Sequence, residues 1–385
     1  MTSQRWLSFN FFTFFFTWGV FLPYWTGYLV NAKHLTVSQA GFIMGAGLLL
    51  RGVSTLVIYP LTTKLYSMVT VVRLFTILSL IVMFFYYPAD GYVSLLIITL
   101  LFNGIYPNIL PSVESSAALL IKTDGIHYGK ARSYGSLGYT VALLMVGVIT
   151  EFLGINAVLW VMIIGLAAIL VTQLLKVPTV LKEKPSKLAN ITDQRKSMLD
   201  VVKEKGFLPV LIIAVLLQGA HAGYYNYGYL FLEDLHASNF QIGLILNVAV
   251  IIEILIFAFA DRLFANTKLS TLFLIAAVGS TVRWTMIFLF PNITVFIVSQ
   301  LLHAVSFGIA HYAFIQYISR HLVPNSVPVA QGIYAAFGMS FSVALLTFLG
   351  GYLYDIEPSY TFAGMLICSV PALLLVLWSR KRFNY

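Results

Sequence analysis

The amino-acid sequence predicts an all-α polytopic membrane protein, with twelve membrane-spanning helices arranged as two six-helix bundles around a central cavity. Three observations support this prediction. Of the 385 residues, 59% are hydrophobic and only 10% are charged, whereas about a quarter of an ordinary soluble domain is charged. A spanning helix needs about 20 mostly apolar residues, so the chain has room for about twelve. A polar stretch at 178–206 divides the apolar runs into two sets of six.

The apolar runs follow one another along the chain with short polar stretches between them. Arg5 precedes the first run, which is too long for a signal-peptide core and lacks a small-residue cleavage site, so we interpret it as a permanent helix. Turn-forming residues separate several later runs, at 88–91, 234–239 and 355–359. The predicted spans cover residues 6–30, 36–59, 70–88, 92–121, 127–152, 155–176, 207–233, 239–262, 268–290, 292–321, 328–351 and 359–379.

The distribution of Lys and Arg predicts the orientation in the membrane. Lys33 is the single Lys or Arg on one side, three arginines fall within spans, and the rest of the 23 lie on the other side. By the positive-inside rule, both termini are then cytoplasmic, which requires an even number of spans. We therefore expect an N-terminal bundle at 1–177, a cytoplasmic linker at 178–206 and a C-terminal bundle at 207–385, in the cell (inner, plasma) membrane.

The two halves share a short internal pattern. Gly41 ends the sequence Ser-Gln-Ala-Gly and is followed ten residues later by Arg51, while Gly243 is followed ten residues later by Glu253. Spans 2 and 8 therefore carry opposite charges at matching depth. Two repeats related by an axis along the membrane normal are expected when two six-helix bundles form one transporter.

Several classes of function lack support in the sequence. The basic residues that give the net charge of +9 lie where the positive-inside rule places them, so we expect no nucleic-acid partner. Cys368 is the one cysteine, which excludes a disulfide framework. No Walker loop, aspartate-rich metal motif or nucleophile elbow occurs, so we expect neither an enzyme, nor a metal, nor a cofactor beyond a coupling proton. A membrane-embedded enzyme or a sensor is the alternative class. The expected partners are a small-molecule substrate and the lipid bilayer, with the protein functioning as a monomer.

Ionisable side chains inside the spans indicate where function lies. Each costs about 2.5–3.5 kcal/mol near a helix centre, and such residues usually face a bundle interior or a wet cavity. Both halves contribute to the set, which suits one polar cavity between two bundles. The set consists of Arg51, Glu114, Arg132, His221, Glu253, Arg283, His303 and His311.

Some of these residues are candidates for substrate binding. Glu114 and Arg132 can pair across the hairpin of spans 4 and 5 and hold a polyhydroxylated or anionic solute, or they form a structural salt bridge. Arg51 either binds an anionic substrate or locks span 2 to a partner helix. His221 and Gln218 offer hydrogen bonds in a stretch of small residues. Trp25, after Pro23, either stacks on a substrate ring or serves packing and interface anchoring.

Other residues are candidates for proton coupling. Glu253 lies among apolar neighbours, where desolvation favours the protonated carboxyl. Arg283 can neutralise Glu253 or tune a nearby proton carrier. His303 and His311 are eight residues apart, so they share one face of span 10, and histidine is suited to proton relay. Either histidine is alternatively an interior residue with no transport role.

The sequence resembles the 3-phenylpropionate permease family over almost the whole chain. This family lies in the same branch of the major facilitator superfamily as the lactose permease. The stretches that carry the resemblance are 5–7, 21–25, 45–48 with Arg51, 217–222, 282–284 and 302–303. The resemblance implies the major facilitator fold and transport by alternating access between two bundles.

The hairpin from Pro111 to Gly135 also resembles the lactose permease. That resemblance makes Glu114 and Arg132 a sugar-binding pair and places Tyr139 where an aromatic ring stacks on the sugar. Arg283 and His303 match that permease's coupling residues.

Two departures from the lactose permease concern the proton route. Ser306 stands three residues after His303, where the permease has a coupling Glu. Glu253 does not align cleanly with the permease's glutamate in span 8, so Glu253 or His311 is the expected substitute.

Together these features predict proton-coupled symport, in the direction of uptake, of a small organic solute. An aromatic carboxylate fits the family and the buried arginines, whereas a sugar or glycoside fits the Glu114–Arg132 pair. A nucleoside–proton symporter and a drug or metabolite exporter of the same fold are the alternatives.

Overall fold

A computed structural model describes residues 2–183, 197–323 and 326–382, and within these ranges the chain is helical with no β-strand. Twelve helices are long and apolar enough to cross a membrane, which confirms the predicted number. They are α1 (Ser3–Asn31), α2 (Val37–Leu65), α3 (Met68–Phe85), α4 (Tyr92–Asp124), α5 (Tyr128–Leu153), α6 (Ala157–Leu174), α7 (Phe207–Asp234), α8 (Asn239–Leu263), α9 (Leu269–Leu289), α10 (Ile293–His321), α11 (Val327–Ile356) and α12 (Tyr360–Arg382).

Polar side chains fix several helix ends. Thr2 precedes α1, and its hydroxyl accepts a hydrogen bond from the Arg5 N–H at 3.4 Å. Asn292 caps α10 in the same way, its Oδ1 accepting from the Val295 N–H at 2.9 Å. Such caps satisfy backbone donors that have no partner inside the helix. Thr2 and Asn292 therefore mark where α1 and α10 begin.

Four of the helices are irregular near their middles. A 3-10 turn at Tyr106–Asn108 interrupts α4, where Pro107 removes a backbone donor. The regular part of α7 stops at Gly219 and resumes at Ala222. Residues Ala304–Ile309 of α10 and Phe337–Phe341 of α11 form π-helical turns. Turns of this kind occur frequently at functional sites.

The chain forms two compact units. The first comprises Met1–Leu35, Ala46–Asp193 and Ser238–Leu244, and the second comprises Thr36–Gly45, Gln194–Ala237 and Ile245–Tyr385. The first turns of α2 thus belong to the second unit, and the first turns of α8 belong to the first unit. Residues 184–196, which make up much of the predicted linker at 178–206, lie outside the described residues. The predicted boundaries at 177 and 207 stay predictions.

Each unit uses the same order of helix pairing. In the first unit α1 packs against α5 and α6, and α3 packs against α6. In the second unit α7 packs against α11 and α12, and α9 packs against α12. Equivalent pairing is expected of two repeats of one six-helix unit.

The first turn of α8 is held tightly within the first unit. The Phe240 N–H donates a hydrogen bond to Oε2 of Glu151 at 3.2 Å. One turn further along, Gly243 lies against Gly147, and a Cβ on Gly243 would be 2.6 Å from the Leu143 carbonyl oxygen. The small residues allow the two backbones to touch, and the carboxylate interacts favourably with the helix N-terminus.

The first turn of α2 repeats this arrangement within the second unit. The Ser38 N–H donates to Oδ2 of Asp355 at 3.2 Å. Gly41, three residues after Ser38, lies against Gly351, and a Cβ on Gly41 would be 3.3 Å from the Gly351 Cα. The internal pattern predicted around Gly41 and Gly243 therefore marks equivalent helix contacts.

Candidate functional site

The predicted pair of Glu114 and Arg132 forms within the first unit. Nε of Arg132 lies 3.6 Å from Oε1 of Glu114, and each side chain is 35% exposed. The Tyr128 hydroxyl donates to the other carboxylate oxygen, Oε2, at 2.9 Å. The guanidinium of Arg132 also lies over the ring of Phe15, with 4.1 Å between its central carbon and the ring centroid. The pair is thus half-buried, with polar atoms that a solute can reach.

Arg51 lies against an aromatic cluster of the first unit. Its guanidinium carbon is 4.9 Å from the centroid of the Trp18 ring, which is a cation–π distance. Trp18 in turn stacks on Tyr106 with 6.0 Å between centroids, and the Tyr106 hydroxyl shares a 2.7 Å hydrogen bond with Thr17. Arg51 on α2 therefore contacts α1, and both alternatives for its role, substrate binding and helix locking, stay predictions.

The two predicted aromatic site residues of the first unit differ in environment. Tyr139 is half-buried on α5, the helix that carries Arg132. Trp25 is fully buried, with its ring centroid 4.9 Å from those of both Tyr28 and Tyr86. The structure places Trp25 in packed aromatic core, and its role in substrate binding stays a prediction.

The second unit brings the predicted coupling residues into contact. Oε2 of Glu253 lies 3.3 Å from Nε2 of His303. The opposite ring nitrogen of His303, Nδ1, lies 2.9 Å from Nη1 of Arg283. His303 therefore bridges the carboxylate on α8 and the guanidinium on α9.

The chemistry of arginine fixes the state of this histidine. A guanidinium only donates hydrogen bonds, so Nδ1 of His303 must accept. The ring proton is then on Nε2, from which it is donated to Glu253. An imidazolium would place an N–H against Arg283, so the observed contact requires a neutral ring.

Ser306 extends the network to His221, which lies at the interruption of α7. Nδ1 of His221 is 2.8 Å from the Leu217 carbonyl oxygen, so this nitrogen donates. Nε2 of His221 lies 3.0 Å from the Ser306 hydroxyl, which also has the His303 carbonyl oxygen as an acceptor at 3.3 Å. The Ser306 oxygen lies 3.4 Å from Nη1 of Arg283.

A second polar group lies on α7, α10 and α11. Nε2 of Gln218 donates to the Tyr334 hydroxyl at 2.7 Å. The same hydroxyl lies 3.2 Å from Nδ1 of His311. Phe307 stacks between His303 and His311, with centroid distances of 5.4 and 5.9 Å. The two histidines thus share one face of α10, although a π-helical turn separates them.

Arg283 is the most enclosed charged side chain of this cluster, with 0% exposure. The ring centroids of Tyr224 and Trp284 lie 4.6 and 4.4 Å from its guanidinium carbon. Nη1 has the partners described above. Nε and Nη2 have no hydrogen-bond acceptor among the described residues.

The sequence reasoning missed three members of this cluster. Ser306 drew notice only as a departure from a family pattern, and Tyr224 and Tyr334 drew none. A serine one turn after a membrane-embedded histidine is a detectable signal. The tyrosines are not detectable, because aromatic residues are common throughout the spans. No group of three His, Cys, Asp or Glu side chains within 2–183, 197–323 and 326–382 has the geometry of a metal site.

Solved structures of transporters share this fold. The nucleoside transporter NupG superposes with a TM-score of 0.82 at 16% identity and covers 100% of both chains. The peptide transporter POT in complex with sulfate gives 0.76 at 13% identity, with 98% of this chain and 94% of that chain covered. The chain therefore has the fold of these solved transporters.

The chain belongs to the MFS_1 like family, whose sequence model matches residues 4–363. A protein of Escherichia coli (strain K12) named "Probable 3-phenylpropionic acid transporter" is 27% identical over 97% of each chain. The "Maltose permease" of Geobacillus stearothermophilus is 28% identical over 97% of this chain and 93% of its own. These findings confirm the resemblance read from the sequence and make the chain a multi-pass membrane protein.

Proposed function

We propose that this transporter couples the uptake of a small organic solute to the inward movement of a proton, by alternating access. The observation that carries the proposal is the bridge from Glu253 through His303 to Arg283. Intramembrane ionisable residues are expensive and are retained where they bind or relay ions. Here they form one connected group in which a single carboxyl can titrate.

The charge of the cluster explains how a proton would drive a conformational change. With Glu253 ionised, its negative charge balances Arg283 through the neutral ring of His303. A proton on Glu253 leaves the guanidinium buried without a counter-charge, which is strongly unfavourable. The protonated cluster therefore favours a different arrangement, or a bound solute, over the arrangement described here. His311, held by Tyr334, is the second residue that we assign to this relay.

The substrate class is an aromatic carboxylate or a sugar or glycoside. Relatives named for 3-phenylpropionic acid and for maltose support these two classes. We assign solute contact to Glu114 and Arg132, which pair at half-buried positions. The other proposed contacts are Arg51, Tyr139, Trp25, Gln218 and His221.

The orientation follows from the distribution of basic residues. We propose that both termini are cytoplasmic and that the protein resides in the plasma membrane, because Lys33 alone lies among the loops on the other side. Uptake is then transport towards the termini. We propose further that the monomer is the functional form, with the proton as its coupling ion.

Uptake into proteoliposomes tests the proposal. The panel contains 3-phenylpropionate, maltose, a galactoside and a nucleoside, each with and without an imposed inward proton gradient. We expect gradient-driven accumulation of one class of solute. Glu253→Gln should abolish accumulation and retain counterflow exchange, because the site remains but no proton is carried. Glu357→Gln, at an exposed position between α11 and α12, is the matched control and should transport normally.

Three outcomes would contradict the proposal. Accumulation that does not depend on the gradient would remove the coupling role of Glu253. Gradient-driven accumulation that persists in Glu253→Gln would assign the proton to another group. A solute that is expelled by an inward gradient would identify an exporter instead.

A further inference from the structure

Arg283 uses only one edge of its guanidinium within the protein. Nη1 contacts His303 at 2.9 Å and Ser306 at 3.4 Å. Nε and Nη2 are fully buried and have no acceptor within the described part of the chain. The N–H of Nε and one N–H of Nη2 point from the same edge of the planar guanidinium. They form the fork that binds both oxygens of a carboxylate at once.

We propose that the Nε–Nη2 edge of Arg283 is the seat of a carboxylate carried by the transported solute. This assignment rests on the proposed function, in that it names the chemical group that the transporter recognises. A carboxylate supplies two acceptors at the spacing of the two free donors. A hydroxyl of a sugar satisfies one of them and leaves the other unpaired in a buried site.

The surroundings of Arg283 favour a solute with an apolar or aromatic body. The rings of Tyr224 and Trp284 lie against the guanidinium. The Trp284 N–H already donates to the Ser280 hydroxyl at 3.0 Å. The neighbouring Tyr224 and Tyr225 rings have centroids 5.6 Å apart. The charged or titratable groups around Arg283 are Tyr224, Tyr225 and His221 on α7, His303 on α10 and, through His303, Glu253 on α8.

Arg283 and Arg132 differ in how their positive charge is balanced. Arg132 faces the carboxylate of Glu114 directly at 3.6 Å. Glu253 instead reaches Arg283 through the His303 ring and leaves the Nε–Nη2 edge free. A carboxylate at this edge would replace the charge of Glu253 when that residue carries a proton.

Arg51 is half-buried and rests on Trp18. None of its N–H groups is among the fully buried donors that lack an acceptor within the described residues. Arg283 alone among the three intramembrane arginines therefore combines complete burial with a free bidentate edge.

Ligand binding to the purified protein in detergent tests the seat without a proton gradient. The probes are 3-phenylpropionate, cyclohexylpropionate and benzoate, each compared with its neutral amide, and binding is measured by isothermal titration calorimetry. We expect at least one acid to bind at least about tenfold more tightly than its amide, the difference typical of losing a charge-assisted hydrogen bond. Arg283→Lys keeps the charge and removes the fork, so the acid-to-amide ratio should fall severalfold, because an ammonium cannot bind both carboxylate oxygens at once.

Matched variants separate this effect from general damage. Arg73→Lys makes the same exchange at an arginine outside the proposed site, whose Nε and Nη2 both donate to the Gln173 carbonyl oxygen, and it should keep the acid-to-amide ratio. Arg132→Lys tests the other paired arginine as a rival seat for the carboxylate. Ser306→Ala alters the occupied Nη1 edge and should also keep it. Gel filtration of each variant checks that the fold is intact.

Three results would overturn the seat at Arg283. They are wild-type protein that binds none of the acids, equal binding of acid and amide, and a ratio that survives Arg283→Lys but is lost in Arg132→Lys. Failure of proton coupling would leave these binding ratios unchanged, so the two proposals can fail separately.

Discussion

The guanidinium of Arg283 donates from Nη1 to Nδ1 of His303 across 2.9 Å. This bond fixes the histidine as a neutral ring with its proton on Nε2, where it faces Glu253 at 3.3 Å. Histidine is often a proton carrier, but here the neutral ring of His303 links Arg283 to Glu253. The proposed function assigns the proton to the carboxyl rather than to the imidazole, so substitutions at His303 and Glu253 should have different consequences.

His303→Gln should retain substantial gradient-driven uptake, whereas His303→Ala should lose it. A glutamine amide accepts from one atom and donates from another, so it can link Arg283 and Glu253 without ever carrying a proton. Alanine leaves both groups without their shared partner. Uptake into proteoliposomes with an imposed proton gradient measures the difference. Equal loss in the two variants would show that His303 titrates.

Ser306→Ala should lower the free energy of unfolding by about 1–3 kcal/mol, because it leaves Nε2 of His221 without its hydroxyl partner in a buried site. Chemical unfolding in detergent micelles measures this change. Ser79→Ala is the matched control, since Ser79 is also fully buried and its hydroxyl bonds to the carbonyl of Phe75 in its own helix. A loss at Ser306 no greater than that at Ser79 would argue against the network.

Neutralising Glu114 should impair transport far more than stability. Its ion pair with Arg132 is 35% exposed at both ends, and pairs of that kind stabilise proteins by about 1 kcal/mol or less. We expect Glu114→Gln to reduce uptake at least about tenfold, equivalent to about 1.4 kcal/mol of lost solute interaction. A double-mutant cycle with Arg132→Gln measures the coupling in stability.

The ion pair of Lys33 and Asp90, at 3.7 Å with Asp90 91% exposed, provides the comparison for this prediction. Asp90→Asn should leave uptake unchanged. A coupling energy of several kcal/mol between Glu114 and Arg132, with normal uptake in the single variants, would identify the pair as a structural salt bridge.

Gly243→Ala should destabilise the first unit by about 1–3 kcal/mol, the usual cost of overpacking. The added Cβ would lie 2.6 Å from the Leu143 carbonyl oxygen. This oxygen belongs to the backbone of α5 and the Cβ is fixed to the backbone of α8, so the two helices must move apart. Thermal unfolding in detergent measures the change. Gly332→Ala, where a Cβ meets nothing within 4 Å, should be neutral or stabilise the helix by about 1 kcal/mol. Equal effects at the two glycines would contradict the close contact of α8 with α5.

Much of the architecture was accessible from sequence because lipid imposes simple constraints on a chain. A spanning helix satisfies its own backbone, so the apolar runs alone predicted twelve helices, most of them within a few residues of their ends. The irregular turns were not predictable in the same way. The π-helical turn that follows His303 depends on how α10 packs against its neighbours, and its sequence Ala304–Ile309 has no proline to mark it.

The candidate site, like the fold, was only partly predictable from the sequence. Ionisable residues are costly inside a membrane span, so their presence there predicted functional candidates. Among these candidates are Glu253, Arg283, His303 and His221. The sequence allowed Arg283 and Glu253 to pair directly. The structure routes their interaction through His303, and it joins His221 to the same group through Ser306, because residues from α7, α8, α9 and α10 converge.

By itself, the sequence determined the number of helices, the family and the short list of buried charges, because each depends on composition or local pattern. Only the tertiary structure decided which nitrogen of His303 holds the proton and which edge of Arg283 stays free. Those properties depend on the donors and acceptors that separate helices bring to one place. They are set by distances of about 3 Å between residues far apart in the chain, which local patterns do not encode.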